Sequence, residues 1–347
     1  MRGGGVGKIS REQVGTVVGV ALVIAMGAIN VVRGAEVLGI LVVGPLVVSS
    51  LADSGSTAMV ALFTVFVALV SAVLNHTLGT FNQTVRLAGV AAGSAFCVVV
   101  ARWREAREAR LAQVVRVAEA AQRAILRPVP AVVGNVAFAA RYLSAAEEAV
   151  IGGDLYDVVP SKWGVRVVVG DVRGKGLEAV RLSATVLGSF RESAVVQRRL
   201  PQVTVALDRA IAAELGAEDF VTAVVAQFSG GKVDVVNCGH YPPIMVSEGD
   251  VTLLAAEPTP PLGLGPAFEA RSFAVRPGSR LLFYTDGLIE ARGEDRRFYT
   301  MPPDVRRALA VDDLDKALDA LVESVLDHVG HRLDDDLALL LAEVRSP

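Results

Sequence analysis

Aspartates recur in this chain where an apolar, β-branched run gives way to glycine or a turn. Residues 152–176 read GGDLYDVVPSKWGVRVVVGDVRGKG and carry Asp154, Asp157 and Asp171. Asp286 follows a second apolar run in LLFYTDG, and Asp334, Asp335 and Asp336 stand directly before a third, LALLL. A carboxylate at a strand end can project into a cleft while the strand fixes its position, and glycines beside it let backbone approach closely. Such carboxylates suit hard divalent cations such as Mg²⁺ and Mn²⁺, which prefer carboxylate, carbonyl and water oxygens. Histidine and cysteine are nearly absent from these positions, so zinc is not favoured. Each aspartate taken alone also reads as a turn residue or a helix cap, and spacing leaves both readings open.

The elements that would position these acids can be read from periodicity. Val165–Val169 is almost wholly β-branched and predicts a buried strand that ends at Asp171. Further strands are expected at Val136–Tyr142, Leu155–Val159, Thr222–Gln227, Val233–Asn237, Pro243–Val246, Phe268–Val275, Arg280–Tyr284 and Leu337–Val344. Helices are expected at Leu177–Gln197, Pro201–Leu215 and Leu314–Val329. Strict βαβ alternation is missing, so the pattern points to an α+β fold of layered sheets with long helices.

Composition divides the chain of 347 residues into two objects, which its net charge of -3 averages. Residues 1–101 hold almost no charge, and the remainder has the mixed charge of a soluble domain without a basic stripe, so no nucleic-acid partner is expected. The two cysteines, Cys97 and Cys238, lie far apart, which argues against a disulfide framework or a cysteine zinc site and fits a reduced cytosolic setting. Four apolar runs, Val14–Val32, Val37–Ala52, Thr57–Leu74 and Val85–Ala101, fill the first part. A membrane-crossing helix needs about 20 apolar residues. The second run is shorter and contains Pro45, so a re-entrant or kinked segment is possible there. The expectation is a membrane region of about four helices over residues 1–101, with a buried helical bundle of a soluble protein as the competing reading. Arg2, Lys8 and Arg11 precede the runs, Arg102, Arg104, Arg107 and Arg110 follow them, and the only lysines or arginines between are Arg33 and Arg86, both at the edges of runs. That bias puts both termini in the cytoplasm of a multi-pass protein of the cell membrane. No charged residue sits in the middle of a run, so an anchor or sensor is favoured over an ion channel.

Residues 102–127 lack glycine and proline and predict a helical linker. Leu111, Val114, Ala118, Ala121 and Ile125 recur at spacings of 3 and 4, a seam for either a parallel coil between two copies or packing on the chain's own domain. Pro128 and Pro130 end the helix, so the soluble domain is expected over 128–347.

The soluble part carries an ordered series: AQRAILRPVP, AARYLSAAEEAVIGGDLYDV, GDVRGKGLEA, FVTAVVAQF, VNCGHYPPIMV, PPLGL, LLFYTDGLIEA and DDLALLL. On this series, residues 120–345 resemble the metal-dependent type-2C serine/threonine protein phosphatases, the PPM family, and most closely its bacterial SpoIIE/RsbU-type branch. The resemblance implies a β-sandwich flanked by helix pairs, with two divalent cations, Mn²⁺ or Mg²⁺, at one end. It assigns the metal and catalytic carboxylates to Asp154, Asp171 and Asp286. It adds the Val172 carbonyl and Asp335 as metal ligands, with Asp336 in reserve, and leaves the substrate-binding residues unidentified. The implied reaction is hydrolysis of phosphoserine or phosphothreonine by an activated water, without a phosphoenzyme. The implied substrate is a regulatory protein, an anti-anti-sigma factor of the STAS type, and a homodimer is possible. A phosphatase fold that binds without turnover is the alternative. Arg173 and Ala338 depart from the family pattern at positions often small and often threonine, and neither removes a ligand.

Other motifs read as structural. GGD lacks the Glu-Phe continuation of a diguanylate cyclase, and Gly174–Gly176 lacks the rest of a phosphate loop. His240 reads as a turn residue, His328 and His331 as helix-end caps, and Cys238 as a small core residue.

Overall fold

Three of the four apolar runs fold into helices long and apolar enough to cross a membrane, Glu12–Val32, Ser54–Leu74 and Phe81–Val114. The computed structural model describes residues 11–33, 38–144, 152–174, 176–216, 219–255, 259–265, 268–293 and 295–346. The chain divides into two units, Met1–Gln113 and Val114–Pro347.

The first unit holds α1 (Arg11–Arg33), a 3₁₀ turn at Leu38–Val42, α2 (Val43–Leu51), α3 (Ser54–Leu74) and the start of α4 (Phe81–Ile125). The second run is thus a shorter apolar piece, and Pro45 sits in the first turn of α2, where it starts a helix and kinks none. Leu51 packs over Gly15 and Val48 over Gly19. Asn75 Nδ2 donates to the Asn30 carbonyl at 3.3 Å, and Arg104 Nη2 donates to the Ala52 carbonyl at 2.6 Å. Val23, Val48, Val60, Ala68 and Val90 form the inside, while Leu62, Phe66 and Phe96 point outward and exposed. Arg2 and Lys8 lie outside the described residues.

The second unit opens with the end of α4, which continues the fourth apolar run without interruption. Its strands and helices are β1 (Val132–Val133), β2 (Val136–Leu143), β3 (Leu155–Ser161), β4 (Gly164–Val172), α5 (Leu177–Val196), α6 (Leu200–Ala212), β5 (Val221–Ser229) and β6 (Lys232–Cys238). Then come β7 (Ile244–Ser247), β8 (Asp250–Leu253), β9 (Arg271–Ala274), β10 (Arg280–Tyr284), α7 (Asp286–Ile289), α8 (Met301–Ala308), α9 (Leu314–His328) and β11 (Leu337–Val344). One sheet has the order β1-β2-β11-β10-β7-β8 and the other β3-β4-β5-β6-β9, and neighbouring strands run antiparallel.

Both faces of each sheet are covered, which explains why an antiparallel strand such as LALLLAEV reads as one apolar run. Ala338, Leu340, Ala342 and Val344 face the other sheet, against Val167, Val169, Val224 and Val235. Leu337, Leu339 and Leu341 face outward onto Leu318, Leu321 and Val325 of α9. On the opposite side Val168, Ala223, Val225 and Val236 pack under Leu182, Val186 and Phe190 of α5 and Leu207 of α6. The architecture is the expected helix-flanked sandwich. The seam residues divide. Ala121 and Ile125 pack against Val180 of α5, the own-domain reading, while Leu111 and Val114 are exposed and the Ala118 side chain lies outside the described residues.

One feature of β4 is invisible to a hydropathy reading. Arg166 is fully buried, its Nε donating to Gln227 Oε1 at 2.8 Å and its other nitrogens to the carbonyls of Ala194, Gln197 and Arg198. It closes the C-terminal end of α5, where unpaired carbonyls would otherwise be left.

Candidate active site

Strand register gathers the acids. Leu155 pairs with Gly170, so Asp154 and Asp171 emerge side by side from β3 and β4. Tyr284 pairs with Leu339, so Asp286 at the start of α7 emerges beside the run that leads into β11. The two pairs meet at one end of the sandwich. One carboxylate oxygen from each of Asp154, Asp171 and Asp286 lies within 4.8 Å of the others. They line a cleft of ≈ 330 Å³ with Val172, Asp335 and Asp336. Asp171 is the penultimate residue of β4, not its successor, so the strand backbone itself holds it.

Close backbone approach shapes the GGD turn. A Cβ on Gly152 would sit 2.3 Å from Asp336 Oδ2, and one on Gly153 would sit 2.2 Å from the Val172 carbonyl oxygen. Neither position has room for a side chain. Asp154 is almost fully buried and accepts a hydrogen bond from Thr285 Oγ1 at 2.7 Å. Thr285 accepts one in turn from the Ala338 amide at 2.9 Å, which ties TDG, GGD and β11 together. Sequence reasoning passed over Thr285, although its place beside Asp286 was a signal.

The two neighbouring acids of the DDD run have different surroundings. Asp336 is buried and accepts from Tyr142 Oη, from Ser144 Oγ at 3.2 Å and from the Gly152 amide at 2.9 Å. Asp335 is half-buried in the cleft, and its Oδ1 accepts the Asp336 amide at 3.0 Å. Asp157 faces away, in an ion pair with Arg191 at 2.6 Å.

Electrostatics follow from this crowding. Burial raises the Asp154 carboxyl well above the usual range, and Asp171 adds to it. Burial first, then Asp286, Asp335 and Asp336, pushes Asp171 up to about 8. Burial, then Asp335 and Glu290, pushes Asp286 up to about 6. Three carboxylates this close, withdrawn from water, cannot all carry charge without protons or a cation between them. An all-oxygen donor set with a carbonyl alongside fits hard divalent cations of the Mg²⁺ or Mn²⁺ type.

The remaining expected residues serve the frame. His240 lines the cleft, yet its ring is buried: Nε2 donates to the Tyr284 carbonyl at 3.1 Å, which leaves Nδ1 to accept from Thr222 Oγ1 at 2.8 Å. Burial pushes its pKa down to about 4, so it is a neutral brace between β5 and the strand before Asp286. Arg173 lies at the cleft with its guanidinium 5.2 Å from the Phe220 ring centre. His328 ends α9 and meets the Arg297 carbonyl at 3.0 Å, His331 faces Asp327 at 3.6 Å, and neither reaches the cleft. Cys238 is buried in β6, and burial pushes its thiol up to about 12. Lys175 lies outside the described residues.

Residues 161–345, more than half of the chain, match the family described as Stage II sporulation protein E (SpoIIE). The chain belongs to the SpoIIE family. Asp154 precedes the matched segment, so its place in the site rests on the geometry above. Phosphoserine phosphatase RsbU of Bacillus subtilis (strain 168) is 23% identical over 203 residues, covering 55% of this chain and 59% of RsbU. The chain thus spans under two thirds of the length of that relative. The solved RsbU and RsbW domains of a Mycobacterium tuberculosis protein are similar at 28% identity and a TM-score of 0.56, covering 64% of this chain and 63% of the other. The SiaA-PP2C domain of Pseudomonas aeruginosa shares the fold, with a TM-score of 0.56, 20% identity and coverage of 69% of this chain and 98% of that one. The α+β sandwich is therefore of the PP2C type.

Proposed function

We propose that Val114–Pro347 is a metal-dependent protein phosphatase that hydrolyses phosphoserine or phosphothreonine on a regulatory protein. The observation that carries this reading is the set of buried Asp154 and half-buried Asp171 and Asp286, delivered from both sheets with oxygens within 4.8 Å. Asp154, Asp171, Asp286, Asp335 and the Val172 carbonyl would hold two divalent cations. Asp335 is preferred over Asp336 because Tyr142, Ser144 and the Gly152 amide already engage Asp336. Bound there, such cations lower the pKa of water, so that it can attack phosphorus in line, and offset phosphoryl charge. The chain's own task is to hold the acids in place and aimed, which Thr285 does for Asp154 and the β4 backbone for Asp171. Covalent catalysis by cysteine has no support here, since Cys238 is buried and lies outside the cleft.

The name of RsbU supports a phosphoserine substrate, and the family resemblance supports a STAS-type anti-anti-sigma factor as the protein that carries it. Membrane anchoring is supported by the three long apolar helices. Both termini on the cytoplasmic side is supported by the arginine bias and by the packing of the first unit. Leu51 returns to the level of Gly15, and Ala52 meets Arg104, so the second run comes back to the side where α1 began. Its 3₁₀ turn and helix rise about 24 Å, about four fifths of a hydrocarbon core of about 30 Å.

The test is hydrolysis of a generic phosphate ester and of a phosphoserine protein by the full chain, with Mn²⁺ and with EDTA. Turnover that needs Mn²⁺ is expected. Metal binding without turnover would favour a binding module, and full activity in EDTA would overturn the metal centre.

A further inference from the structure

The last turns of α4 carry a buried amide. Gln122 is 8% exposed, and its Nε2 donates to Tyr142 Oη at 2.7 Å and to the Gly152 carbonyl at 3.2 Å. Tyr142 Oη donates in turn to Asp336 Oδ2, the same oxygen that accepts the Gly152 amide at 2.9 Å. Gln122, Tyr142, Asp336 and Gly152 therefore form a closed ring of hydrogen bonds. Gly152 lies two residues before Asp154, and Asp336 lies next to Asp335. The ring thus joins the helix to both acidic loops, while Tyr142 is fixed on β2 opposite Ala338 of β11.

Packing alone would not ask for an amide here. Ala121 and Ile125, on the same turns, meet Val180 with apolar contacts. A buried amide costs free energy unless its donors find partners, and when they do it fixes one geometry. The helix end is also held: Arg191 Nη2 donates to the Ile125 carbonyl at 2.8 Å, and the Leu126 amide donates to the Gln122 carbonyl at 2.9 Å.

We propose that Gln122 is a positioning residue through which α4 sets the spacing of the GGD and DDD loops at the metal centre. The inference rests on the metal-centre reading above. A shift of the helix end by about an ångström would carry these bonds out of hydrogen-bond range. Tyr142 and the Gly152 carbonyl would lose their donor, and the loop ahead of Asp154 would loosen. Metal affinity and turnover then depend on where α4 sits, which makes the end of this helix an input to the site.

The test uses the full chain in detergent with Mn²⁺ as the probe. Gln122→Met keeps length and helix preference but removes both donors. Tyr142→Phe removes the link to Asp336 and leaves the Gln122–Gly152 bond. The readouts are the Mn²⁺ dissociation constant, kcat and KM on p-nitrophenyl phosphate, and thermal unfolding. Gln122→Met is expected to weaken Mn²⁺ binding about tenfold and to lower kcat with KM near the parent value. Tyr142→Phe should act in the same direction, and the double variant should be little worse than the worse single, because both act through one ring. A folded Gln122→Met protein with Mn²⁺ affinity and kcat within about twofold of the parent overturns the proposal, even if it melts earlier. So do additive losses in the double variant. If Gln122→Met fails to fold, Tyr142→Phe decides by the same criterion. A parent that binds no Mn²⁺ overturns the metal-centre reading and this inference with it, whereas a binding parent with an insensitive variant overturns only the inference.

Discussion

Asp171 and Asp286 titrate in a range that most carboxylates leave far below. Their pKa values, about 8 and about 6, are raised first by burial and then by neighbouring acids, Asp286, Asp335 and Asp336 acting on Asp171, and Asp335 and Glu290 on Asp286. Cation binding must therefore displace protons, so Mn²⁺ affinity should rise from pH 5 to 8, level off above about 8 and release protons below it. Stability of the metal-free protein follows the opposite sign. A carboxyl whose folded pKa is raised contributes stability that is present below its unfolded value and lost as pH climbs through the folded one. His240, depressed to about 4, contributes stability that is present above its unfolded value, about 6.5, and is lost as pH falls toward 4. The two effects oppose each other below about pH 6.5. Between there and about pH 8 only the carboxyl effect remains. EDTA-treated protein should melt at a lower temperature at pH 8 than at pH 6.5, and Mn²⁺ should reverse that order. A melting temperature equal at both pH values without metal would contradict the shared burial of these acids.

Elements matter through their ends. α5 reaches its position over the second sheet because Arg166 closes its C-terminal carbonyls from inside β4. Arg166→Met fills similar space but leaves three carbonyls and Gln227 unpartnered. It should destabilise the domain by more than about 3 kcal/mol, read as a large drop in melting temperature, while kcat per folded molecule is retained at low temperature. An unchanged melting temperature would show that water replaces the guanidinium at no cost. Much of this architecture was legible beforehand. Strands buried on both faces leave unbroken β-branched or leucine runs, and β2, β3, β4, β10 and β11 fell close to where those runs lie. Elements with mixed polarity did not announce themselves: β8 reads DVTL, and α8, MPPDVRRA, opens on two prolines after its methionine. The run Phe268–Val275 folds as strand only over Arg271–Ala274. The site was legible as aspartates at strand ends, helped by the family resemblance. Of its supports only Thr285, beside Asp286, left a signal, because Tyr142 on β2 and Gln122 on α4 become partners only when these elements meet the GGD turn.

For the whole molecule, the proposed topology is four membrane crossings by the first unit with both ends in the cytoplasm. Three helices are long enough, and the second run is short, yet it runs back from Val23, which Gly44 meets, to the level of Gly15. Reporter fusions after Arg11 and after Arg110 should both report cytoplasm. Opposite compartments would mean three crossings and a second run that dips without passing through.

The proposed cation-dependent hydrolytic centre lies at one end of the sandwich. Its test is release of inorganic phosphate from a phosphoserine-bearing protein, measured side by side for the parent, Asp171→Asn and Asp286→Asn over a Mn²⁺ titration. Deleting a ligand carboxylate should cut turnover at least about a hundredfold at saturating Mn²⁺, with the fold intact and the parent silent in EDTA. Parent-like turnover in both variants, or a parent indifferent to EDTA, would mean that these carboxylates hold no catalytic cation.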